Sequence, residues 1–210
     1  MSEQTVRYRP FEDGDFDEIV PIMQGLWHTK SDDEAFDRLE AVDDLAYMLS
    51  KANFSQIALV DDVVCGIVLA RAGEIDPAWI ARWQDVQDRA HQEMRELSAE
   101  RFADYMAFVE GEGATNHGLL AASGLADGGE VVLLALSPAA RGHGVGRALV
   151  ESARAYLAGK DALPGYLYTD TSCTWRFYEH LGLTRVAEHI ATPEEQGIIE
   201  SEMYLYRLDA

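Results

Sequence analysis

The sequence of 210 residues (23.3 kDa) carries 37 acidic and 17 basic side chains, for a formal net charge of −20 and a pI near 4.5. This balance excludes a general nucleic-acid binder, because such proteins gain affinity by neutralising phosphates with Lys and Arg. It also argues against docking on anionic membranes, which requires basic clusters. Since 48% of the residues are apolar, the chain can build a packed core, and its acidity belongs to a folded surface.

Cysteine usage and the lack of long apolar runs favour a cytoplasmic setting. Cys65 and Cys173 lie far apart without CxxC spacing, which predicts reduced thiols rather than a disulfide or a metal site. The N-terminal segment has no apolar stretch typical of a secretory signal, and the longest apolar run, Val131–Leu136, has the length of a strand. The six His are scattered without metal-binding spacing, so we expect no metal.

The first third of the chain predicts a strand, two helices and a hairpin. Val6 and Tyr8 alternate as in a short strand, and apolar residues then recur at helical spacing over 16–27 and 36–49. The next two apolar runs, rich in β-branched residues, are typical of strands: Phe54–Val60 and Val63–Arg71. Only Asp61–Asp62 separates these two runs, so we expect a tight antiparallel hairpin.

A long helical segment follows the hairpin. Between Asp76 and Glu110 the apolar residues keep a spacing of three to four, which predicts one long helix or two stacked helices. We expect the segment to end at Gly111–Gly113, which places a helical insertion at about residues 74–115. If this insertion lines a pocket, several of its acidic residues would suit a cationic molecule: Asp85, Asp88, Glu93 and Glu96.

The last eighty residues alternate strands and helices. The predicted elements are a strand at Val131–Leu136, a helix at 145–157, a strand at Tyr166–Thr169, a short helix at Thr174–Leu181 and a closing strand pair at Thr184–Ile190 and Glu202–Leu208. No repeat or linker interrupts the chain. We therefore expect residues 1–210 to form a single α+β domain, an α/β/α sandwich whose mixed, mostly antiparallel sheet is flanked by helices.

A glycine-rich loop between the strand near residue 131 and the next helix is the most informative motif. Gly142, Gly144 and Gly146 alternate with other residues, which lets backbone N–H groups turn toward one point without Cβ obstruction. The helix start adds N–H donors and a positive dipole end, and Arg141 and Arg147 flank the loop. These features predict a phosphate or pyrophosphate site. The spacing matches neither a P-loop nor the dinucleotide fingerprint.

The loop also resembles the R/Q-x-x-G-x-G/A motif of the GNAT family of N-acetyltransferases. The resemblance implies that acetyl-CoA (coenzyme A) binds as co-substrate, with its pyrophosphate on the loop and its pantetheine arm along the strand that precedes it. It further implies a GNAT-like sheet in which that strand splays from its neighbour. The implied CoA-binding residues are Leu136, Ser137, Arg141, Gly142, His143, Gly144, Val145, Gly146, Arg147 and Thr171.

A second block, Asp170–Leu183, is similar to the family segment N-x-x-A-x-x-F-Y-E-K-x-G-F. Tyr178 takes the position of the tyrosine that protonates the departing CoA thiolate in many members. A Tyr of pKa about 10 is protonated at pH 7 and can donate to a thiolate whose thiol titrates near about 8.5. Packing in the core is the alternative role for Tyr178. Thr171 and Thr174 replace the usual Asn and Ala, a departure that weakens the expected pantetheine contact.

The group that removes a proton from the acceptor amine is harder to identify. An alkylammonium of pKa about 10.4 lies about 4.6 kcal/mol from its neutral form at pH 7. Family members often carry a Glu on the strand before the loop, but Leu133 occupies the usual position here. Glu130 at the start of that strand is our candidate base, and Glu112 and His117 are alternatives.

The resemblance implies an acetyl-CoA-dependent N-acetyltransferase that transfers the acetyl group directly in a ternary complex. The acidic surface favours a small, cationic primary amine as the acceptor. Family members often dimerise through their closing strands, so a homodimer agrees with the resemblance. The alternative is a non-catalytic acyl-CoA-binding regulatory module, although such a sensor has no need of a proton donor at Tyr178.

Overall fold

Seven strands form one sheet, and six α-helices cover it, in the computed structural model, which describes residues 5–29 and 32–210. The strands are β1 (Val6–Arg9), β2 (Phe54–Val60), β3 (Val63–Arg71), β4 (Glu130–Leu136), β5 (Gly165–Asp170), β6 (Thr184–Ile190) and β7 (Glu202–Leu208). The helices are α1 (Phe16–Trp27), α2 (Glu34–Ser50), α3 (Pro77–Leu97), α4 (Ala99–Ser123), α5 (Val145–Ala158) and α6 (Arg176–His180). None of these helices is long and apolar enough to cross a membrane.

The sheet order is β1-β2-β3-β4-β5-β7-β6, and every neighbouring pair except one is antiparallel. The exception is the central pair β4–β5, which is parallel and joined only at Glu130 and Tyr166. β4 pairs with β3 along its whole length, and β5 pairs with β7 along its whole length. The sheet therefore consists of two halves that diverge from a single contact. The predicted mixed, mostly antiparallel sheet flanked by helices is confirmed.

The hairpin β2–β3 has the two-residue turn that its sequence predicts. Asp61 and Asp62 have φ angles of 50° and 67°, the left-handed conformation that tight hairpin turns require. Asp tolerates this region better than most residues because its short polar side chain can hydrogen-bond locally. The turn fixes β2 against β3 and so positions β4, which pairs with the other edge of β3.

Two apolar layers lie on opposite faces of the sheet. On one face, α5 packs through Leu149, Ala153 and Leu157, which are fully buried against β3, β5 and β7. On the other face, α1 and α2 cover β2, β3 and β4 with a second buried cluster that includes Leu45 and Leu133. Truncating a fully buried Leu such as Leu149 to Ala costs about 2–5 kcal/mol, because the transfer free energy is lost and a cavity remains.

The helical insertion consists of two helices that break at Ser98. The side chain of Ser98 accepts a hydrogen bond from the Arg101 amide and so caps the start of α4. The prediction that Gly111–Gly113 ends the segment is wrong, because α4 continues to Ser123 and ends at Gly124, whose φ is 73°. Gly111 serves packing instead: a Cβ there would lie 2.9 Å from Ile199 Cγ2.

Helix α4 spans the two halves of the sheet. Near its start, the Tyr105 hydroxyl donates a 2.7 Å hydrogen bond to Asp43 of α2. Near its end, Leu119 packs in a cluster with Tyr166 of β5 and Leu205 of β7. Because α2 covers β4, and β5 belongs to the other half, α4 crosses the region where β4 and β5 diverge.

Candidate active site

The glycine-rich loop presents a row of unpaired backbone N–H groups. Gly142 and Gly144 have φ angles of 80° and 69°, and a Cβ at either position would meet no atom within 4 Å. In the described part of the chain, none of the six consecutive N–H groups from Gly142 to Arg147 donates to a backbone carbonyl. Such a row at a helix N-terminus is a binding site for an anion.

Gly146 allows the loop to sit close to the gap between the two halves of the sheet. It is buried at the start of α5, and a Cβ there would lie 2.9 Å from Leu136 Cδ1 and 3.0 Å from Phe177 Cζ. Any side chain would therefore push α5 away from β4 and α6. The local sequence predicts the loop, but this three-way contact between α5, β4 and α6 depends on the fold.

The charged side chains of the loop face solvent. Arg141 and Arg147 are exposed, and no described acidic residue forms an ion pair with either of them. His143, which lies between these two arginines in the chain, is partly buried. The two guanidinium groups are therefore available to bind the same anion as the loop amides.

The gap between β4 and β5 begins beyond their single contact. The amide of Ser137 donates a 2.8 Å hydrogen bond to the Cys65 carbonyl on the β3 side. Because main-chain groups alternate in direction along a strand, those of the preceding residue, Leu136, point toward the gap. Leu136 can therefore bond a molecule in the gap, whereas the Ser137 amide is already occupied.

Tyr178 lies at the same end of the gap, on the face covered by α5. Its ring packs between Phe177 and Tyr206, with centroid distances of 5.4 and 5.9 Å. Burial raises the pKa of the Tyr178 hydroxyl, and the neighbouring Cys173 and Asp170 raise it further. The hydroxyl thus stays protonated across the physiological range. Packing and proton donation are compatible here, since the ring contacts neighbours while no described residue hydrogen-bonds the hydroxyl.

Thr171 is directed toward β7 rather than toward the loop. Its hydroxyl lies 2.9 Å from the Ser201 hydroxyl, and its amide donates to the Glu202 carbonyl. These bonds fasten the end of β5 to the start of β7. Thr171, at the position where the GNAT segment often has Asn, thus has a structural role in joining β5 to β7.

Glu130 lies where β4 and β5 are still paired, at the closed end of the gap. Its carboxylate accepts a 2.6 Å hydrogen bond from Arg71, its cross-strand partner on β3. The Tyr166 hydroxyl lies 3.2 Å from Arg71 and 3.5 Å from Glu130. These three side chains form a bonded group, so the Glu130 carboxylate already has a cationic partner.

A set of ionisable side chains surrounds the gap on the face covered by α2 and α4. Burial raises the pKa of Glu112 on α4 to about 7, and the negative charges of Asp44, Asp170 and Glu200 add to this effect. Tyr47 of α2 has its pKa raised by burial and then by the charges of Glu130 and Glu112. The sequence indicates Glu112 only as an alternative base, because the helix is predicted to end at Gly111 and Glu112 would then lie in a loop.

Other acidic residues of the insertion lie elsewhere. Asp85, Asp88, Glu93 and Glu96 are exposed on the outer face of α3. His117 is exposed on α4. A cleft of about 560 Å³ does open between α2 and α3, and Tyr47 and Arg71 are among its lining residues.

Comparisons with known proteins agree with this geometry. Residues 104–184 match the family model of the acetyltransferase (GNAT) domain, a range that contains the glycine-rich loop and Tyr178. No curated protein sequence matches the chain. Among solved structures, the Drosophila melanogaster polyamine N-acetyltransferase aligns with a TM-score of 0.62 at 12% identity, covering 98% of this chain and all of that one.

Two bacterial structures give the same result. The ribosomal-protein-S18-alanine N-acetyltransferase of Escherichia coli aligns with a TM-score of 0.55 at 12% identity, over 97% of this chain and 93% of that chain. The Salmonella typhimurium protein yncA, solved with its cofactor acetyl-CoA, aligns with a TM-score of 0.53 at 13% identity over the same shares. The family model thus matches residues 104–184, and the whole chain shares the fold of these solved acetyltransferases.

Proposed function

We propose that the protein is an acetyl-CoA-dependent N-acetyltransferase that acts on the primary amine of a small, cationic acceptor by direct transfer. The observation that carries the proposal is a row of six N–H groups, from Gly142 to Arg147, that have no backbone acceptor among the described residues. The row lies at the open end of the gap between β4 and β5. Free amides, a helix N-terminus and two Arg side chains without an ion-pair partner among the described residues fit a pyrophosphate. The diverging strands beside them fit an extended arm that bonds strand edges.

The residues that would hold acetyl-CoA follow from this arrangement. The amides of Gly142, Gly144 and Gly146, with Arg141 and Arg147, would bind the pyrophosphate, and the main chain of Leu136 would bond the pantetheine arm. His143 and Val145 complete the loop. Bound acetyl-CoA supplies a thioester carbonyl for attack by the amine. Holding the amine against that carbonyl is a main source of rate enhancement in such transfers, because it removes translational and rotational freedom before reaction.

Tyr178 would donate a proton to the departing thiolate. Its hydroxyl lies near Cys173 and Asp170 at the end of β5, and its raised pKa keeps it protonated when a thiolate forms. No covalent intermediate on the protein is required. Glu130 remains a candidate for the base, although its bond to Arg71 favours a positioning role for that carboxylate.

A cationic acceptor agrees with the charges on the α2–α4 face of the gap. The charges of Asp44, Asp170 and Glu200 act on Glu112 there, so a positive group is favoured electrostatically. The Drosophila neighbour is a polyamine N-acetyltransferase that forms N-acetylagmatine, and polyamines and agmatine are cationic amines. A cytoplasmic setting and a homodimer remain predictions from the sequence.

Binding of CoA can be tested with Gly144→Val. This variant places a branched side chain on the positive-φ residue that caps α5, inside the row of amides. We expect CoA affinity, measured by calorimetry, to fall at least about tenfold, since lost amide bonds to a charged group cost about 1.5–3 kcal/mol. Gly73→Val is the matched control, because Gly73 has φ 72° and open space but lies in the β3–α3 connection. Equal CoA affinity in both variants would contradict the loop assignment.

Catalysis can be tested by thiol release from acetyl-CoA with a panel of diamines, polyamines and neutral amines. We expect release with cationic amines, and a fall in kcat of about 10²–10⁴ in Tyr178→Phe if general acid catalysis contributes its usual share. CoA affinity should be unchanged, because the ring and its packing are retained. CoA binding without thiol release on any amine would favour the regulatory module instead.

A further inference from the structure

We propose that Glu112, on helix α4, is the base that accepts the proton of the acceptor ammonium. The inference deepens the proposed function and rests on it. It assigns a catalytic group to the helical insertion rather than to the sheet.

The position of Glu112 on α4 is the first argument. Tyr105, Glu112 and Leu119 are spaced by seven residues, or two helical turns, so they share one face of the helix over about 21 Å. Tyr105 bonds Asp43 on the α2 side, and Leu119 packs against Tyr166 on the β5 side. Glu112 lies midway between these two anchors, on the inward face. Its side chain is therefore directed toward the region where β4 and β5 diverge.

A second feature of the same helix face supports a polar ligand there. Asn116 lies one turn after Glu112, and its Oδ1 atom is buried without a hydrogen-bond partner among the described residues. A buried carbonyl oxygen left without a donor costs free energy, which a bound amine or an ordered water would recover. Glu112 itself is partly buried and has no hydrogen bond or ion pair with any described residue.

The charges around Glu112 set its protonation. Burial raises its pKa to about 7, Asp44 of α2, Asp170 of β5 and Glu200 before β7 raise it as well, and His28 after α1 lowers it. Tyr47 of α2 also faces this carboxylate. A base whose pKa lies near the working pH is suited to proton transfer, because a large fraction is ionised while its basicity is still appreciable.

The other candidates are less suitable. Glu130 is bonded to Arg71 at 2.6 Å, so its charge is already balanced by a cation. His117 is exposed on α4, away from the inward face that carries Leu119. Glu112 alone among these three combines an inward position with a carboxylate that forms no ion pair or hydrogen bond with a described residue.

The step balances as follows. A proton passes from the acceptor ammonium to a carboxylate oxygen of Glu112, directly or through one water, and frees the nitrogen lone pair. As the C–N bond to the acetyl carbonyl forms and the C–S bond breaks, sulfur takes a proton from Tyr178. The nitrogen loses a second proton, which restores Tyr178, and Glu112 releases its proton to water.

The experiment compares wild type with Glu112→Gln, using 1,4-diaminobutane and acetyl-CoA over pH 5.5–9.5. For wild type we expect kcat/KM to rise through an apparent pKa near 7 and then to level off. In Glu112→Gln, kcat/KM at pH 7 should fall about 100-fold, the lower end for general base catalysis. The break in the pH profile, where kcat/KM of the wild type stops rising near pH 7, should disappear. A weakly basic amine that is already neutral at pH 8, such as 2,2,2-trifluoroethylamine, should restore most of the rate.

Two control variants separate this role from others. Glu110→Gln changes an exposed carboxylate two residues away and should leave the profile unchanged. Glu130→Gln, which removes the negative charge that pairs with Arg71, should lower the rate but keep the break near pH 7. A wild-type profile in Glu112→Gln, or loss of the break in Glu130→Gln alone, would overturn the proposal.

A readout independent of activity distinguishes failure of the inference from failure of the proposed function. Because the folded-state pKa of Glu112 is raised, its contribution to stability is present below the unfolded value and lost as pH rises through about 7. Glu112→Gln should therefore have a higher Tm than wild type at pH 8.5 and an equal Tm at pH 4. A lower Tm at pH 8.5 would indicate a structural role and contradict the proposal. Absence of thiol release from wild type would instead contradict the proposed function.

Discussion

At the scale of single residues, His28 illustrates how the described structure fixes a charge beside the gap. Its two ring nitrogens lie 3.2 Å from Glu40 and 3.4 Å from Asp44, both on α2. Burial by itself lowers the pKa of His28, but the hydrogen bonds to Asp44 and Glu40 outweigh this and raise it to about 9. The imidazolium therefore joins the end of α1 to α2 and orients Asp44, which faces Glu112.

This raised pKa predicts a specific pH dependence of stability. The contribution of His28 is fully present below its unfolded pKa of 6.5 and is lost as pH rises through about 9. We expect His28→Gln to lower the free energy of unfolding by up to about 3 kcal/mol at pH 6, from a shift of roughly 2.5 pKa units. The difference should vanish above pH 9.5. Urea unfolding at both pH values checks this, and a loss independent of pH would contradict it.

At the scale of elements, helix α4 continues through Gly111, which the sequence pattern assigns to the end of the helix. Glycines at 111, 113 and 118 all lie inside this helix, where each costs about 0.5–1 kcal/mol relative to Ala. Gly111 is held against Ile199 and Ile198, whereas Gly118 has open space at its Cβ position. Gly111 is therefore the glycine that sets how closely α4 approaches the β6–β7 connection.

The two glycines predict opposite effects of the same substitution. Gly118→Ala should raise the free energy of unfolding by about 0.5–1 kcal/mol, because it adds only helix propensity. Gly111→Ala should lower it, because its Cβ would lie 2.9 Å from a methyl of Ile199 and force α4 outward. Denaturant titrations of both variants check this. An equal rise in the free energy of unfolding in both variants would show that the contact with Ile199 leaves room for a Cβ at position 111.

At the scale of the whole molecule, the net charge of −20 is distributed unevenly with respect to the site. The glycine-rich loop carries the exposed Arg141 and Arg147 where a polyanion would bind, while carboxylates surround the opposite side of the gap. The acidic field would therefore raise the local concentration of cationic acceptors, and salt would screen it over a Debye length of about 10 Å at 0.1 M.

This distribution predicts that salt affects acceptors according to their charge. Between 50 and 500 mM NaCl, kcat/KM for a diamine should fall about three- to tenfold, because steering by the acidic surface is screened. A neutral amine of similar size should change by less than about twofold over the same range. Steady-state thiol release at saturating acetyl-CoA measures both. Equal salt sensitivity for the two acceptors would argue against a cationic substrate.

The sequence by itself determined the features that depend on neighbouring residues. The hairpin turn at Asp61–Asp62, the strand–loop–helix unit around Gly144 and the closing strands β6 and β7 all follow from local patterns, and the structure has them where predicted. Local φ preferences, apolar periodicity and glycine spacing act within a few residues, so they can be recognised without knowledge of the fold.

Only the tertiary structure decided which side chains meet around the gap. Glu112 and Asp44 are 68 positions apart in the chain, and the path of α4 that brings them together depends on packing at Gly111, Tyr105 and Leu119. The bond of Glu130 to Arg71 likewise depends on strand register between β3 and β4. Helix propensity favoured an end at Gly111, but burial of the helix against Ile199 and the sheet outweighed that preference, and this placed Glu112 inside the molecule.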